Sequence, residues 1–315
     1  MKRLNLIFMG TPDIAVPALR ALAGTGHNLA AVVTQPDRPA GRGRKLKRCP
    51  VAQEAIELGL KVWQPERVSA AAKDLINLGA DAACVMAFGQ LLPAELVNAF
   101  PMGCINVHTS LLPELRGAAP INWAIVQGKK RTGVTTMLMD EGLDTGDMLL
   151  QQATEIGPQE TAGTLAQRLA QMGAELLVRT IDELQEEKLS PRPQTETGAS
   201  YARRLTKADG LVDWQQPATE ADLLVRGLDP WPTAHTVLEG KTLRLFAPTA
   251  VLDISPPAQP GTLIEAPPER KDLLWVACGR GALGVGQVQA AGKRRMAAID
   301  FLRGAHLGPG TLLGG

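Results

Sequence analysis

Apolar residues recur in two rhythms along this chain, and the change between them divides it. Leu4 to Met9 is a largely apolar run stopped by Gly10, and Leu29 to Thr34 is a second one. Between them Ile14, Val16, Leu19 and Leu22 return at helical spacing. Thr11 or Asp13 can cap that helix, and Pro12 suits its first turn. Strand, helix and strand in quick succession predict a βαβ unit and a parallel sheet. The alternation continues with a helix near 51–58, a strand at 61–63, a helix near 69–78 and a strand over 82–87. Next come a helix over 93–98, a strand over 104–107, a helix near 119–127 and a strand over 134–139. Helical periodicity then runs from 162 to 186. From about Thr206 the pattern changes to short apolar runs at 241–246, 261–265, 273–278 and 283–289, separated by Gly and Pro. Such spacing favours a small barrel or sandwich. The expected architecture is α/β: a Rossmann-like, doubly wound, mostly parallel sheet over 1–188, a linker over 189–206 and a smaller, OB-like C-terminal β-barrel over 207–315. PRPQTETG at 191–198 marks the linker. The turn after the first strand has one glycine and no GxGxxG, so no dinucleotide fingerprint is present.

Composition narrows the class. With 45% hydrophobic and 21% charged residues the chain is an ordinary globular protein, and with 3% aromatics its core must be mainly aliphatic. The start has too few consecutive apolar residues for a signal segment, and no run approaches the roughly 18 of a membrane span. Four scattered cysteines without a CxxC, and four scattered histidines, fit reduced thiols in a cytoplasmic protein with no metal site. A formal net charge of +1 means that any polyanion must be met by a local patch. One such patch exists at 35–50, QPDRPAGRGRKLKRCP. Arg38, Arg42, Arg44, Lys45, Lys47 and Arg48 carry positive charge, and no acidic residue intervenes before Glu54. Its glycines and prolines argue against helix or strand, leaving either a solvated loop or a basic arm that orders on phosphates.

The candidate chemistry lies in CINVHTSLLPELRG at 104–117. Asn106 and His108 stand two apart, so an extended strand points both to one side. Leu111, Leu112 and Pro113 then end the strand, and Gly117 permits a sharp redirection. An amide can donate to a developing oxyanion, and an imidazole can donate or move a proton. From these two residues alone, a strand cap beside a satisfied surface histidine is the commoner arrangement, because polar residues at strand ends are frequent. Asp144 lies in the acidic turn DEGLDTGD at 140–147, where Asp commonly bonds its own backbone, yet the turn follows a strand end, where open α/β sheets place their sites.

Several stretches together resemble the methionyl-tRNA formyltransferase family: GTPDIAVPAL at 10–19, QPDRPAGRGRKL at 35–46, INVHTSLLP at 105–113, RGAAPINWA at 116–124, TGVTTMLMDEGLDTGDML at 132–149 and DPWP at 229–232. Asn-x-His with Ser-Leu-Leu-Pro and the later Asp-Thr-Gly-Asp is shared by folate-dependent formyltransferases generally; the basic loop and the later segment point to the tRNA branch. Ile14, Phe88 and Thr109 stand where the family more often has Phe, Tyr, and Ala or Gly. The resemblance implies transfer of a formyl group from 10-formyltetrahydrofolate to the α-amine of initiator methionyl-tRNA, without a metal. It implies that Asn106 and His108 donate to the oxyanion while Asp144 orients His108 and helps take the amine proton. It implies a folate site at Phe88, Gly89, Gln90, Leu91 and Leu92 with Ser110, Leu111, Leu112 and Pro113. It further implies tRNA contacts from Arg38, Arg42, Arg44, Lys45 and Lys47, with Arg42 entering the acceptor stem, and a β-domain along the tRNA. A cytoplasmic monomer with no membrane contact is expected.

Two other functions compete. Glycinamide ribonucleotide or an amino-sugar nucleotide as acceptor would keep the chemistry, but single-domain purine-pathway formyltransferases lack the later segment and the basic loop. A non-catalytic tRNA-binding or folate-sensing protein would not need Asn106, His108 and Asp144 together. Trp123, Trp214, Trp231 and Trp275 are expected in the core, His27, His235 and His306 in structural roles, and Lys293 to Arg295 either in a solvated turn or on phosphate.

Overall fold

The computed structural model describes residues 2–40, 45–255 and 258–314. By packing, the chain forms two compact units. The first comprises Met1–Gly117, Thr132–Thr154 and Ala166–Ala202; the second comprises Ala118–Arg131, Glu155–Leu165 and Arg203–Gly315.

The elements run β1 (Asn5–Gly10), α1 (Val16–Ala23), β2 (Asn28–Val33), β3 (Arg38–Ala40), β4 (Lys45–Lys47), α2 (Pro50–Glu57), β5 (Val62–Trp63), α3 (Ala72–Ile76), β6 (Ala82–Met86), α4 (Ala94–Val97) and β7 (Cys104–His108). They continue with α5 (Pro120–Val126), β8 (Arg131–Leu138), β9 (Met148–Glu155) and α6 (Ala162–Gln185). Seven strands make one sheet in the order β5-β2-β1-β6-β7-β8-β9. Pairs β2–β5, β1–β2, β1–β6 and β6–β7 are parallel, and β7–β8 is antiparallel. The chain winds outward from β1 to β5 and then restarts on the other side of β1 with β6. That reversal is the topological switch, and the crevice beyond the strand ends there is where such sheets place ligands.

The sheet is buried on both sides, as continuous apolar strands require. In β1, Leu6 and Phe8 enter one core with α1 and α6, while Ile7 and Met9 enter the other with α3 and α4. Strand β7 follows the same parity: Ile105 and Val107 pack with Ala174 and Leu177 of α6, and Cys104 faces the opposite core. Asn106 and His108 therefore extend the Cys104 face toward the strand's end. Burial pushes the Cys104 thiol up to about 12, so it sits there as a neutral apolar filler.

The second unit adds α7 (Ala218–Gly227), β10 (His235–Leu238), β11 (Lys241–Leu252), β12 (Leu274–Ala277), β13 (Ala282–Ala290), β14 (Met296–Ala297) and α8 (Ala298–Ala305). Its antiparallel sheet runs β10-β11-β13-β12, with β14 on β13. Two short segments close the ring. Leu263 bridges Val276 of β12, and Thr262 bridges Leu312. Gly314 N–H then donates to Val237 O of β10 at 2.7 Å, completing a barrel-like circuit. Helix α7 fills its core with Ala218, Ala221 and Val225 beside Leu245, Val285 and Val288. Helix α5 belongs to this unit too: Asn122 Nδ2 donates to Gly227 O at 2.7 Å.

Two sequence expectations are corrected. The basic stretch does contain strands: β3 and β4 pair antiparallel, with Arg38 opposite Lys47 and Pro39 opposite Leu46. Proline is tolerated because a two-stranded ribbon is all edge. Trp231 is 54% exposed rather than core. Its loop is fixed through the backbone instead, since Pro230 O accepts Thr233 Oγ1 at 2.9 Å and Trp231 O accepts Asn122 Nδ2 at 3.3 Å. Trp214 and Trp275 are buried as expected. Strand β9 and helices α7 and α8 were not anticipated by the apolar pattern. Among the described residues no helix is long and apolar enough to cross a membrane.

Candidate active site

Asn106 lies within the sheet, flanked by Val85 of β6 and Met137 of β8, so both ladders fix its backbone. Its side-chain amide is half-buried and bonds no other described residue. Two residues on, His108 is 6% exposed. The loop after it is tied back to β8 and β9. Thr135 Oγ1 donates to Ser110 O at 2.7 Å and accepts Leu112 N–H at 3.2 Å, and Gln151 Nε2 donates to Leu112 O at 2.8 Å. Ser110 Oγ donates to Glu114 O at 2.5 Å. Leu115 then adopts a left-handed φ of 57°, which turns its carbonyl back to His108 Nε2 at 2.9 Å. A carbonyl can only accept, so Nε2 carries a proton.

The other nitrogen of His108, Nδ1, faces Asp144 Oδ2 at 3.7 Å. This separation suits an ion pair but is too long for a hydrogen bond. The same Oδ2 accepts Gly117 N–H at 2.8 Å. Gly117 has φ 109°, and a Cβ there would press on Ala202 O at 2.9 Å, so glycine is required on both counts. The self-bonding expected of an aspartate in this turn is done by Asp140, whose carboxylate accepts Gly142 N–H at 3.0 Å and Thr145 Oγ1 at 2.9 Å. Asp144 is thereby free to reach across to β7 and its loop. It does so from a left-handed φ of 56°, a conformation that Asp tolerates better than most residues. The arrangement combines one unspent amide donor, one imidazole with a single nitrogen open to proton exchange, and one carboxylate beside that nitrogen. Such a set suits proton movement at a carbonyl-derived centre.

The remaining sequence candidates occupy neighbouring strand ends. Phe88 is buried in the core under the sheet edge, and its carbonyl accepts Thr11 Oγ1 at 2.9 Å. Gln35 Nε2 donates to Gly89 O at 2.8 Å, so the loops after β1, β2 and β6 are joined. The side chain of Gln90 is already used, accepting Val68 N–H at 2.7 Å and donating to Pro65 O at 3.3 Å. Leu91 is 88% exposed and Leu92 half-buried; the backbone groups of residues 90–92 bond no other described residue. Leu112 is buried, while Leu111 and Pro113 are half-buried. In the basic hairpin Arg38 Nη2 donates to Gln35 Oε1 at 3.1 Å, and exposed Lys47 stands directly across the ladder from Arg38. Lys45 pairs with Ala40; Arg42 and Arg44 lie outside the described residues. Among the described residues, no cluster of three His, Cys, Asp or Glu side chains is disposed to hold a metal ion.

Sequence reasoning missed the scaffold of this site. Thr135 and Gln151 sit on β8 and β9, and Arg116 with Gln194 and Ser200 ties the 113–117 loop to residues 192–202. Ser200 Oγ accepts Leu115 N–H at 2.9 Å, and Arg116 Nε donates to Gln194 Oε1 at 3.0 Å. A 1% exposed arginine is signalled by no local pattern; only its position beside Gly117 in a redirecting loop could have drawn attention to it.

The model of the family described as formyl transferase matches residues 1–181, and the model of the formyl transferase C-terminal domain matches 204–306. A curated relative from Pelobacter propionicus, named methionyl-tRNA formyltransferase, is 47% identical over 317 aligned positions, covering 100% of this chain and 98% of its own length. One of the same name from Geobacter metallireducens is 46% identical, with 100% of both chains covered. Among solved structures, HypX from Aquifex aeolicus in complex with tetrahydrofolic acid superposes with a TM-score of 0.66 at 16% identity, over 96% of this chain and 47% of that one. That likeness is one of fold.

Proposed function

The chain belongs to the methionyl-tRNA formyltransferase family, and from that premise we propose that it moves a formyl group from 10-formyltetrahydrofolate to the α-amine of initiator methionyl-tRNA at the end of β7. The observation that carries this reading is the free Asn106 amide beside a His108 whose Nε2 is committed to Leu115 O and whose Nδ1 faces Asp144. The folate supplies a formyl group on a nitrogen able to leave. In the exchange a bond forms between the amine nitrogen and the formyl carbon, the bond from that carbon to the folate nitrogen breaks, and one proton passes from the first nitrogen to the second. Asn106 donates its amide N–H to the formyl oxygen as charge builds there. His108 takes the amine proton at Nδ1, Asp144 stabilises the resulting imidazolium, and the same Nδ1–H is available to the departing nitrogen.

The free backbone donors and acceptors of residues 90–92 suit the hydrogen-bonding edge of a pterin, with exposed Leu91 available to cover its face. For the acceptor, the register of β3 and β4 sets Arg38 against Lys47, two like charges directly opposed, an arrangement that is unfavourable without an anion and favourable on a phosphate backbone. Arg42 between these strands is the residue we assign to reading the acceptor stem. Arg42→Ala is expected to lower the preference for initiator over elongator methionyl-tRNA, and an equal loss on both would count against this role. The decisive assay offers 10-formyltetrahydrofolate with matched initiator and elongator methionyl-tRNAs and with glycinamide ribonucleotide. Strong initiator preference supports the reading. Transfer to the ribonucleotide alone overturns the acceptor, and binding of tRNA without transfer overturns catalysis.

A further inference from the structure

Part of what fixes the Asp144 turn comes from a stretch of the chain that carries none of the family motifs. Residues 192–202 run beside the site as a strap. At one end Arg192 exchanges two backbone hydrogen bonds with Met148, at 2.8 and 2.9 Å. At the other, Arg116 N–H donates to Ser200 O at 2.8 Å and Ala202 N–H to Arg116 O at 2.7 Å. With both ends pinned, the side chain of Gln194 is held between two loops. Its Nε2 donates to Asp144 O and to Gly146 O, each at 2.8 Å, while its Oε1 accepts Arg116 Nε at 3.0 Å. Arg116 is anchored in turn, since Nη1 donates to Glu196 Oε1 at 3.2 Å. Its sequence neighbours complete the circuit: Leu115 O holds His108, and Gly117 N–H holds Asp144.

We propose that Gln194 is a positioning residue for formyl transfer, clamping the Asp144 turn to the 115–117 loop and so setting the separation of Asp144 from His108. Its amide is used at both ends, with acceptor toward Arg116 and donor toward Asp144, and no other side chain of the same length offers both. The left-handed backbone of Asp144 gives the clamp something to hold, because a residue in that region relaxes toward commoner conformations unless its surroundings fix it. Gln194 reaches only the main chain of the Asp144 turn, so its influence acts through Asp144 rather than on substrate.

The inference rests on the proposed formyl-transfer activity, and wild-type protein in the same assay separates the two. Absence of transfer by the wild type would overturn the activity itself. The test compares Gln194→Glu and Gln194→Met in the full chain, measuring kcat, KM for both substrates, the pH profile of kcat/KM and the melting temperature. Glu keeps the acceptor for Arg116 and loses the donor to the two carbonyls; Met keeps the length and loses both. Both variants are expected to lose about ten- to a hundredfold in kcat, the scale of a small misplacement in an active site. KM should change little, and the pH profile should move because the partner of His108 has shifted. Wild-type kcat and pH profile in both variants would overturn the assignment. So would a loss confined to KM, or one that follows the folded fraction while the pH profile stays put, since those are the marks of a purely structural residue.

Discussion

Asp222 in the second unit and Asp144 in the first each stand beside a buried cationic or ionisable partner, and the two pairs are finished to different degrees. In the second unit, Asp222 Oδ2 accepts Arg226 Nε at 3.0 Å and Nη2 at 2.8 Å, and Asp222 Oδ1 accepts Thr249 Oγ1 at 2.5 Å. Arg226 Nη1 donates to Glu160 O at 3.1 Å, so every nitrogen of the guanidinium is engaged. In the first unit, Asp144 and His108 stop at 3.7 Å, and the amide next to them is unspent. A buried ion pair withdraws two charges from water, and only full hydrogen bonding offsets that cost. The completed pair can do little except hold α7 to β11. The incomplete pair keeps a proton-accepting nitrogen and a donor in reserve, which is what chemistry requires and what stability alone would have removed.

This contrast can be broken from either side. Asp222→Ala strands a buried guanidinium, and the expected loss is about 3–5 kcal/mol of folding stability. Denaturant unfolding should show it, while formyl transfer by the protein that stays folded is retained. Asp144→Ala or Asn106→Ala should reverse the pattern. Each is expected to lower turnover by about 10² to 10³, equivalent to some 2.7–4 kcal/mol in the barrier, with a melting temperature close to wild type. Full turnover in either variant would remove that residue from the mechanism. Gly227→Val sharpens the stability side without touching charge. A Cβ at Gly227 would come within 2.5 Å of Val126 Cγ2 and 3.2 Å of Asn122 O, so α5 must shift from α7, at a cost of about 1–3 kcal/mol.

The smallest effect concerns pH. The Arg203 guanidinium, with the N–H and hydroxyl of Thr206, holds the Asp209 carboxyl well below the usual carboxylate range, against the opposing influence of partial burial. A carboxyl depressed on folding stabilises above its unfolded pKa and loses that contribution as pH falls through and below about 4. Asp209→Asn should therefore melt slightly below wild type at pH 7, and the gap should start to narrow below about pH 4 and keep narrowing as the pH falls further. A gap independent of pH would mean that the carboxylate charge is not what matters at that turn.

The first sheet was legible in the sequence because its signals are local. Strands buried on both faces are apolar throughout, and the helices between them repeat their apolar positions every turn. Asn106, His108 and Asp144 could be singled out for the same reason, as polar residues at the ends of apolar strands. Helix α7 escaped notice because its buried face begins with Ala218 and Ala221, which carry little hydrophobic signal in a stretch otherwise broken by Gly and Pro. The apolar run at 261–265 was legible, but residues 311–314, which meet it, act through one isolated bridge and a few hydrogen bonds, too short for any periodicity. The hairpin β3–β4 was hidden by its own composition. Gln194 was invisible for a different reason: its importance lies in what is brought to both ends of one amide, and the partners sit 50 and 78 positions away.

The manner in which the second unit is assembled bears on how the protein is made. All seven strands of the first sheet lie before residue 156. The second unit instead gathers 118–131, 155–165 and everything from 203 on, and its ring is completed by a hydrogen bond from Gly314. Synthesis delivers the chain from its N-terminus at about 5–20 residues each second. Helix α5 leaves the ribosome roughly a hundred residues ahead of α7, with Ile121, Ala124 and Ile125 awaiting the surface that will cover them. Strand β10 and the 261–264 segment likewise present open edges until residues 311–314 emerge, an interval in which a nascent chain is most exposed to mispairing with its neighbours. The half of the molecule least marked in the sequence is thus the half most dependent on protection during its own translation.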